Sequence, residues 1–157
     1  MNIIICGAGQ VGTSIAGHLA LVNSVTIIDQ HAERVQRAAE HHDLRGVIGT
    51  SSHPDILAQA GAADADMIIA VTESDEINMV SCQVAHAIFN TPLKIARVRA
   101  RSYLDPNYGD LFSTDNLPID HIISPETEVS HAVSRRLKVP GAFDMSMMGN
   151  GRIRMVG

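Results

Sequence analysis

The sequence predicts an α/β fold with a doubly wound parallel β-sheet flanked by helices. Three observations lead to this prediction. Short, β-branched apolar runs alternate along the chain with segments of helical spacing. A glycine-rich turn at residues 7–12 (Gly-Ala-Gly-Gln-Val-Gly) directly follows the first apolar run, and Asp29 ends the second. Strand, glycine turn, helix, strand and acid follow one another as in a Rossmann-like dinucleotide-binding unit.

Five apolar runs are predicted to be strands buried on both faces, as the strands of parallel sheets are. They are residues 3–6, 25–28, 44–48, 67–71 and 93–98. The segments between them have helical spacing or composition and predict helices at residues 11–21, 32–41, 54–60 and 75–89. Because each helix connects two strands, the sheet is expected to be parallel.

The region after the fifth strand predicts a sixth strand and a crossover helix. Residues 102–117, rich in Asp, Asn, Tyr and Pro, form a long irregular connection that is compatible with a short helix near 108–112. Residues 120–123 give the sixth strand. A helix then begins with Ser124 as its N-cap and Pro125 in its first turn.

The C-terminal residues predict a β-hairpin. Residues 142–148 and 152–156 flank an Asn-Gly turn, the sequence typical of a tight hairpin. A hairpin with no helix after it indicates the start of a further module. We therefore expect a nucleotide-binding domain over residues 1–137, a hairpin and linker over 138–157, and a chain that is a fragment of a longer protein.

The glycines of residues 7–12 suit a phosphate-binding turn. Gly7 allows the tight turn, Gly9 lets a pyrophosphate come close to the backbone, and Gly12 lets the first helix lie tightly against the sheet. The N-terminus of that helix presents unpaired N–H groups and a partial positive charge. The turn therefore predicts a nucleotide site, and a turn that serves only helix packing is the alternative.

Asp29 lies about twenty residues past the glycine turn, at the spacing of the ribose-binding acid of this motif. Its carboxylate can accept hydrogen bonds from the hydroxyls of an adenosine ribose, and it would repel a phosphate on the 2′ oxygen. Gln30 and His31 follow, with no arginine immediately beside the acid. The sequence therefore favours NAD or NADH over NADP.

The composition bounds the class of protein. A chain of 157 residues with 45% apolar residues fits one domain with a substantial core. No run approaches the roughly twenty apolar residues of a membrane span, and the N-terminus lacks a signal sequence, so we expect a soluble intracellular protein without a transmembrane segment of its own. A net charge of −5 and 3% aromatic residues argue against a nucleic-acid partner.

The residues that could ligate a metal do not form a metal-binding pattern. Cys6 in a strand and Cys82 in a helix are expected to be buried thiols in a reducing compartment. Cys82 and His86 are four residues apart on one helix, but two ligands do not complete a tetrahedral site. The acids at positions 73, 75 and 76 either form an ion site or occupy a first helical turn, where negative charge is favourable. We favour the helical turn and expect no metal.

Several segments resemble the RCK domains of the TrkA-N family. They are residues 51–57, 60–67, 71–78 and 95–99, together with 7–12 and 123–126. The resemblance extends over essentially all of residues 1–156. It implies a nucleotide-binding regulatory domain that works as a dimer or higher ring at the cytoplasmic face of the cell membrane and biases the gate of a potassium transporter. Family members bind NAD, NADH, ATP or ADP in one cleft.

The resemblance also assigns binding residues. It places Asp29 on the ribose and a set of glycine-turn residues under the phosphates, namely Gly7, Gly9, Gln10, Val11 and Gly12. Residues at the ends of later strands complete the site, with Thr50 and Ser51 edging the adenine, Thr72 and Glu73 lining the cleft, and Arg97 reaching the phosphates. Many RCK domains have an acid where this chain has Thr50, so adenine selectivity is less determined than phosphate binding.

Arg34 and Arg37, three residues apart on the second helix, are expected to lie on a solvated face, although Arg34 could turn toward the ribose. The helix expected after Pro125 carries an apolar stripe, namely Val129, Ala132, Val133 and Leu137. Such a stripe seldom stays exposed on a monomer. We therefore expect a homodimer or a larger assembly.

Two other classes of function stay open beside a non-enzymatic regulatory module. The first is the cofactor domain of an NAD-dependent dehydrogenase that lacks its substrate domain. It needs a general acid or base at the nicotinamide end, and the strand ends offer Thr, Glu and Ser but no well-placed His or Lys. The second is an oligomerisation domain with a vestigial glycine turn. The presence of Asp29 together with the full glycine turn argues against this second class.

Overall fold

The computed structural model describes residues 1–124, 145–148 and 153–156. It confirms the doubly wound α/β fold. One sheet of six parallel strands is made of β1 (Asn2–Cys6), β2 (Ser24–Asp29), β3 (Arg45–Ile48), β4 (Met67–Ala70), β5 (Leu93–Arg97) and β6 (His121–Ile123). Helices α1 (Gln10–Leu19), α2 (Ala32–His41), α3 (Pro54–Gln59) and α4 (Asp75–Phe89) connect the first five strands.

The strands are arranged in the order β3-β2-β1-β4-β5-β6. This is the Rossmann order, in which the direction of strand addition reverses between β1 and β4. The register pairs Cys6 with both Ile28 and Ala70, and it pairs Asp29 with Ile48. The carboxyl ends of β1, β2, β3 and β4 therefore lie at one edge of the sheet, where such folds bind ligands.

Alternation along β1 divides the core into two layers, one on each face of the sheet. Ile3 and Ile5 pack with Ala16 of α1 and Ala38 of α2. Ile4 and Cys6 pack on the opposite face with α3 and α4 residues that include Leu57 and Cys82. Both cysteines are free and buried, as expected, and burial raises the pKa of the Cys6 thiol to about 12.

Several element boundaries differ from the prediction. Helix α1 ends at Leu19 rather than at residue 21, and Leu21 and Val22 are 81% and 83% exposed in the turn before β2. The connection after β5 contains 3₁₀ segments at Arg101–Leu104 and Pro106–Phe112, where the sequence suggested one short helix. A further 3₁₀ turn, Ala62–Asp64, precedes β4.

The C-terminal region forms a second unit, Ser124–Gly157, separate from Met1–Ile123. Within it, β7 (Met145–Met148) pairs antiparallel with β8 (Ile153–Val156), which confirms the hairpin strands with shorter bounds. The Asn-Gly turn and the helix expected at 125–137 lie outside the described residues. The boundary at residue 137 stays a prediction.

Candidate nucleotide-binding site

A cavity of about 250 Å³ opens at the carboxyl edge of the sheet. We call it the carboxyl-edge cavity. The residues that line it follow β1, β2, β3 and β4, and the predicted site residues among them are Gly7, Gly9, Asp29, Thr50, Ser51, Thr72 and Glu73. Gln10, Val11, Gly12 and Arg97 do not line it. Residues from four separate segments are thus brought together at the edge where the fold predicts a ligand.

The glycine turn leaves open space above its middle residue. Gly7 has φ +106°, and a side chain there would lie 3.0 Å from the backbone nitrogen of Thr72. The Gly7 N–H donates to the Ile28 carbonyl at 2.7 Å, which fixes the turn to the end of β2. A Cβ on Gly9 would meet nothing within 4 Å in the described part of the chain. A ligand phosphate can therefore approach the backbone at Gly9.

Gly12 lies in tight contact at the start of helix α1, as expected. A Cβ at this position would lie 1.8 Å from the Gly7 carbonyl oxygen and 3.4 Å from the Val71 side chain. A glycine is therefore needed mainly because the start of helix α1 packs directly on the Gly7 carbonyl. The contact with the Val71 side chain is less close. Gln10 and Val11 are exposed at the start of α1.

Asp29 is buried at the end of β2 and already accepts several hydrogen bonds. Its Oδ2 accepts from the Ala8 N–H at 2.8 Å, and its Oδ1 accepts from the His31 N–H at 2.9 Å. His31 Nδ1 lies 2.8 Å from the same Oδ1. Burial by itself would raise the pKa of Asp29, but the hydrogen bonds from His31 and Ala8 and the charge of Arg34 together lower it below the ordinary value.

The carboxylate of Asp29 therefore links the glycine turn to the end of β2 as an ionised group. It contacts Ala8, inside the turn, and it lines the cavity at the same time. An adenosine ribose placed at the end of β2 would find this acceptor held in one position.

Ser51 lies at the floor of the cavity, whereas Thr50 is half-buried. The Ser81 hydroxyl donates to the Ile77 carbonyl at 2.7 Å, and the Ser51 Oγ lies 2.9 Å from the Ser81 Oγ. Because Ser81 already uses its hydrogen, Ser51 is the donor in that contact. The Ser51 oxygen retains acceptor capacity toward the cavity. A contact of either residue with adenine stays a prediction.

The loop between β4 and α4 is held by the fully buried Asn78. The Asn78 Oδ1 accepts from the Thr72 N–H at 2.8 Å and from the Thr72 hydroxyl at 2.7 Å. The Asn78 Nδ2 donates to the Arg97 carbonyl at 2.9 Å and to the Thr72 carbonyl at 3.3 Å. One side chain thus joins the carboxyl ends of β4 and β5 and positions Thr72 at the cavity.

Arg97 lies behind this wall of the cavity. Its Nη2 donates to the Thr72 carbonyl at 3.0 Å, and its Nε is buried with no hydrogen-bond partner among the described residues. The structure therefore brings Arg97 to the β4–α4 loop, and its contact with a phosphate stays a prediction.

The acids around the start of α4 have separate partners. The Asp75 Oδ2 accepts from the Arg99 and Ala100 N–H groups, each at 2.8 Å. Glu76 accepts from the Ser74 hydroxyl at 2.8 Å, and Ser74 caps the helix by accepting from the Ile77 N–H. This is the geometry of a capped first helical turn. Within the described residues, no group of three or more His, Cys, Asp or Glu side chains could hold a metal ion.

His31 and Arg34 line the cavity, although the sequence reasoning did not assign them to the site. Arg34 Nη1 lies 4.0 Å from the Asp29 Oδ2 and 3.4 Å from the Glu73 Oε1. The alternative that Arg34 turns toward the ribose acid therefore describes the structure better than a fully solvated face, although its side chain is still 39% exposed. One sequence signal could have assigned Arg34 to the site. It is a cation in the first turn of a helix, where the helix dipole disfavours a positive charge.

A family model described as the TrkA-N domain matches residues 3–125. The chain belongs to the TrkA-N family. This TrkA-N chain is 52% identical over its full length to the Trk system potassium uptake protein TrkA of Azorhizobium caulinodans and 48% identical over 99% of its length to that of Haemophilus influenzae. It spans 34% of the length of each of these relatives.

Solved structures share the fold of this TrkA-N chain. The TrkA-N domain of the inner membrane protein ybaL from Escherichia coli superposes with a TM-score of 0.73 at 19% identity, covering 87% of this chain and 96% of that one. The Shewanella denitrificans Kef CTD in its AMP-bound form gives 0.70 at 20% identity, covering 91% and 84%. The GsuK channel bound to NAD gives 0.65 at 19% identity, covering 95% and 25%.

No helix among the described residues of the TrkA-N chain combines the length and the apolar composition needed to cross a membrane.

Proposed function

We propose that this TrkA-N chain is a nucleotide-sensing regulatory module of a membrane potassium-uptake transporter. Its ligand is NAD or NADH, with ATP and ADP as the alternatives, and the ligand binds in the carboxyl-edge cavity. One observation carries the proposal. The Asp29 carboxylate, at the ribose position, accepts a hydrogen bond from Ala8 within the glycine turn, and the space above the adjacent Gly9 is open.

The comparisons support the nucleotide and the partner. Proteins of the same fold are described as bound to NAD and to AMP, and both ligands contain the adenosine that we propose for this site. The relatives are named potassium uptake proteins. We therefore place the module in the cytoplasm at the inner face of the cell membrane, as a homodimer or larger assembly that contacts a transporter subunit.

Sensing requires the ligand to bind two states of the module differently. The carboxyl-edge cavity is lined by loops from both halves of the sheet, with Asp29 on one side and Thr72 on the other. A nucleotide that contacts both loops would favour one distance between them. In the assembly, this change in loop distance would alter the contact with the transporter and so bias its gate.

We assign no catalytic role to the chain. The lining of the cavity includes one imidazole, His31, and its Nδ1 is engaged with Asp29 at the ribose end. A dehydrogenase needs its acid or base at the nicotinamide end instead. Incubation with NADH and a panel of ketone substrates is expected to leave the NADH absorbance unchanged, and substrate-dependent oxidation would favour the dehydrogenase alternative.

The direct test is a calorimetric titration of the purified chain with NADH, NADPH, ATP and ADP. NADH is expected to bind, and NADPH more weakly because of Asp29. Asp29→Asn keeps one acceptor oxygen and removes the charge, so it should weaken NADH binding by about 1.5–3 kcal/mol, the range for hydrogen bonds to charged groups.

The matched control is Asp115→Asn, an exposed acid outside the carboxyl-edge cavity, which should bind NADH as the parent does. If the parent binds none of the four nucleotides, the proposed function is wrong. Unchanged NADH affinity in a folded Asp29→Asn chain would remove Asp29 from the site.

A further inference from the structure

Arg34 occupies a position that neither the glycine turn nor the ribose acid explains. A second cavity of about 470 Å³, which we call the turn cavity, lies beside the first and is lined by residues of α1 and α2, Thr13 and Arg37 among them. Gly9, Arg34 and Glu73 line both cavities. Arg34 therefore lies on the shared rim, on the same side as the open space above Gly9.

Two carboxylates hold the guanidinium in this place. Arg34 is in the first turn of α2, where the helix dipole opposes a positive charge. The Asp29 carboxylate at 4.0 Å and the Glu73 carboxylate at 3.4 Å supply the balancing charge. The side chain consequently spans from the end of β2 to the β4–α4 loop.

The contact with Glu73 is easily replaced. The side chains of Arg34 and Glu73 are 39% and 82% exposed, and ion pairs exposed to this degree contribute little to stability. A phosphate is a stronger partner, because the planar guanidinium can donate two parallel hydrogen bonds to it, whereas the contact with Glu73 is a single one at 3.4 Å. Glu73, by contrast, repels any anion that approaches Gly9 unless Arg34 neutralises it.

We propose that Arg34 is a phosphate-binding residue of this site, whose guanidinium exchanges the Glu73 carboxylate for a phosphate of the bound nucleotide. The inference rests on the proposed nucleotide binding and adds to it a preference for ligands with more phosphate groups. The gain in affinity from each phosphate of the ligand depends on Arg34 and is opposed by Glu73. Adenosine, which has no phosphate, is indifferent to both side chains.

The test uses three probes that differ in phosphate charge, namely adenosine, AMP and ADP. Each is titrated into the parent chain, Arg34→Gln and Glu73→Gln at one pH and ionic strength. Arg34→Gln should lower the ADP affinity about tenfold or more and should change the adenosine affinity by less than about twofold. Glu73→Gln should raise the ADP affinity and leave that of adenosine unchanged.

Two further variants separate a direct role from a structural one. Arg101→Gln removes an exposed arginine outside the lining of both cavities and should match the parent with all three probes. Arg34→Lys keeps the charge but loses the bidentate geometry, so its ADP affinity should fall between those of the parent and Arg34→Gln.

Equal weakening of all three probes by Arg34→Gln would show that Arg34 only positions the loops, and the inference would be overturned. It would also be overturned if ADP affinity were unchanged in both Arg34 variants. These results are distinct from failure of the proposed function, in which the parent chain itself binds neither NADH nor ADP and the inference falls with it.

Discussion

At the scale of single residues, Asp29 has a structural role beside the binding role that we propose for it. It accepts hydrogen bonds from Ala8 and His31 before any ligand is present. The same contacts that hold its oxygens in place also stabilise the turn that the ligand must meet. Replacement of this side chain by one with no acceptor would leave the buried Ala8 N–H unpaired, at a cost of about 1–3 kcal/mol.

The lowered pKa of Asp29 predicts an acid-sensitive contribution to stability. Because the pKa in the folded chain is below the ordinary value of 3.8, ionised Asp29 favours the folded state above that value. This contribution is lost as the pH falls through the folded pKa. Urea unfolding between about pH 5 and pH 2 should show a loss of stability in the parent that is smaller in Asp29→Asn. Identical pH profiles for the two chains would contradict the prediction.

At the scale of elements, the glycine turn and helix α1 separate binding from packing. Gly9 opens onto space and Gly12 lies against the Gly7 carbonyl, although both belong to the same motif. The sequence motif predicts this division, and the structure adds that the tight contact of Gly12 is with the Gly7 carbonyl.

Gly9→Val should abolish NADH binding with little change in the free energy of unfolding, because the new side chain fills the phosphate space and contacts nothing else. Gly12→Val should lower the free energy of unfolding by about 1–3 kcal/mol, the range for overpacking.

The control is Gly109→Val, at another glycine with open space around it, which should leave NADH binding unchanged. Calorimetric titration and urea unfolding measure the two effects. If both Gly9→Val and Gly12→Val bind and unfold like the parent, the phosphate-binding role of the turn is wrong.

Asn78 connects two elements in the same region. Its amide makes hydrogen bonds to Thr72 and Arg97 at the ends of β4 and β5. Asn78→Ala should therefore lower the free energy of unfolding by at least about 2 kcal/mol, since buried backbone groups lose their partners. Asn107→Ala, the same truncation at an exposed position, should stay within about 0.5 kcal/mol of the parent. Equal urea midpoints for the two variants would show that Asn78 does not hold the loop.

At the scale of the whole molecule, apolar residues predict assembly of the chain. The apolar stripe of residues 125–137 lies outside the described part of the chain. Helix α4 adds exposed apolar residues of its own, with Val80 and Ile88 45% and 54% exposed. Both features favour contact between copies of the chain.

Sedimentation should therefore detect a dimer or larger assembly. Val133→Glu should weaken it by placing an unpaired charge in an apolar contact. Asp115→Asn, which lies apart in sequence from Val133 and from the exposed apolar residues of α4, serves as the control and should assemble as the parent does. A parent chain that remains monomeric at high micromolar concentration would contradict the assembly and weaken the proposed gating mechanism.

The sequence by itself determined the α/β class, the parallel sheet and the sheet edge at which the candidate site lies. Hydrophobic runs, the glycine turn and Asp29 are local signals, and strand ends in this fold meet at one edge. Only the tertiary structure decided the contacts of Arg34 and Arg97. Their neighbours come from distant segments, with Arg34 reaching Glu73 and Arg97 reaching Thr72. Such contacts depend on the distance and angle between packed elements, which residue spacing along the chain does not encode.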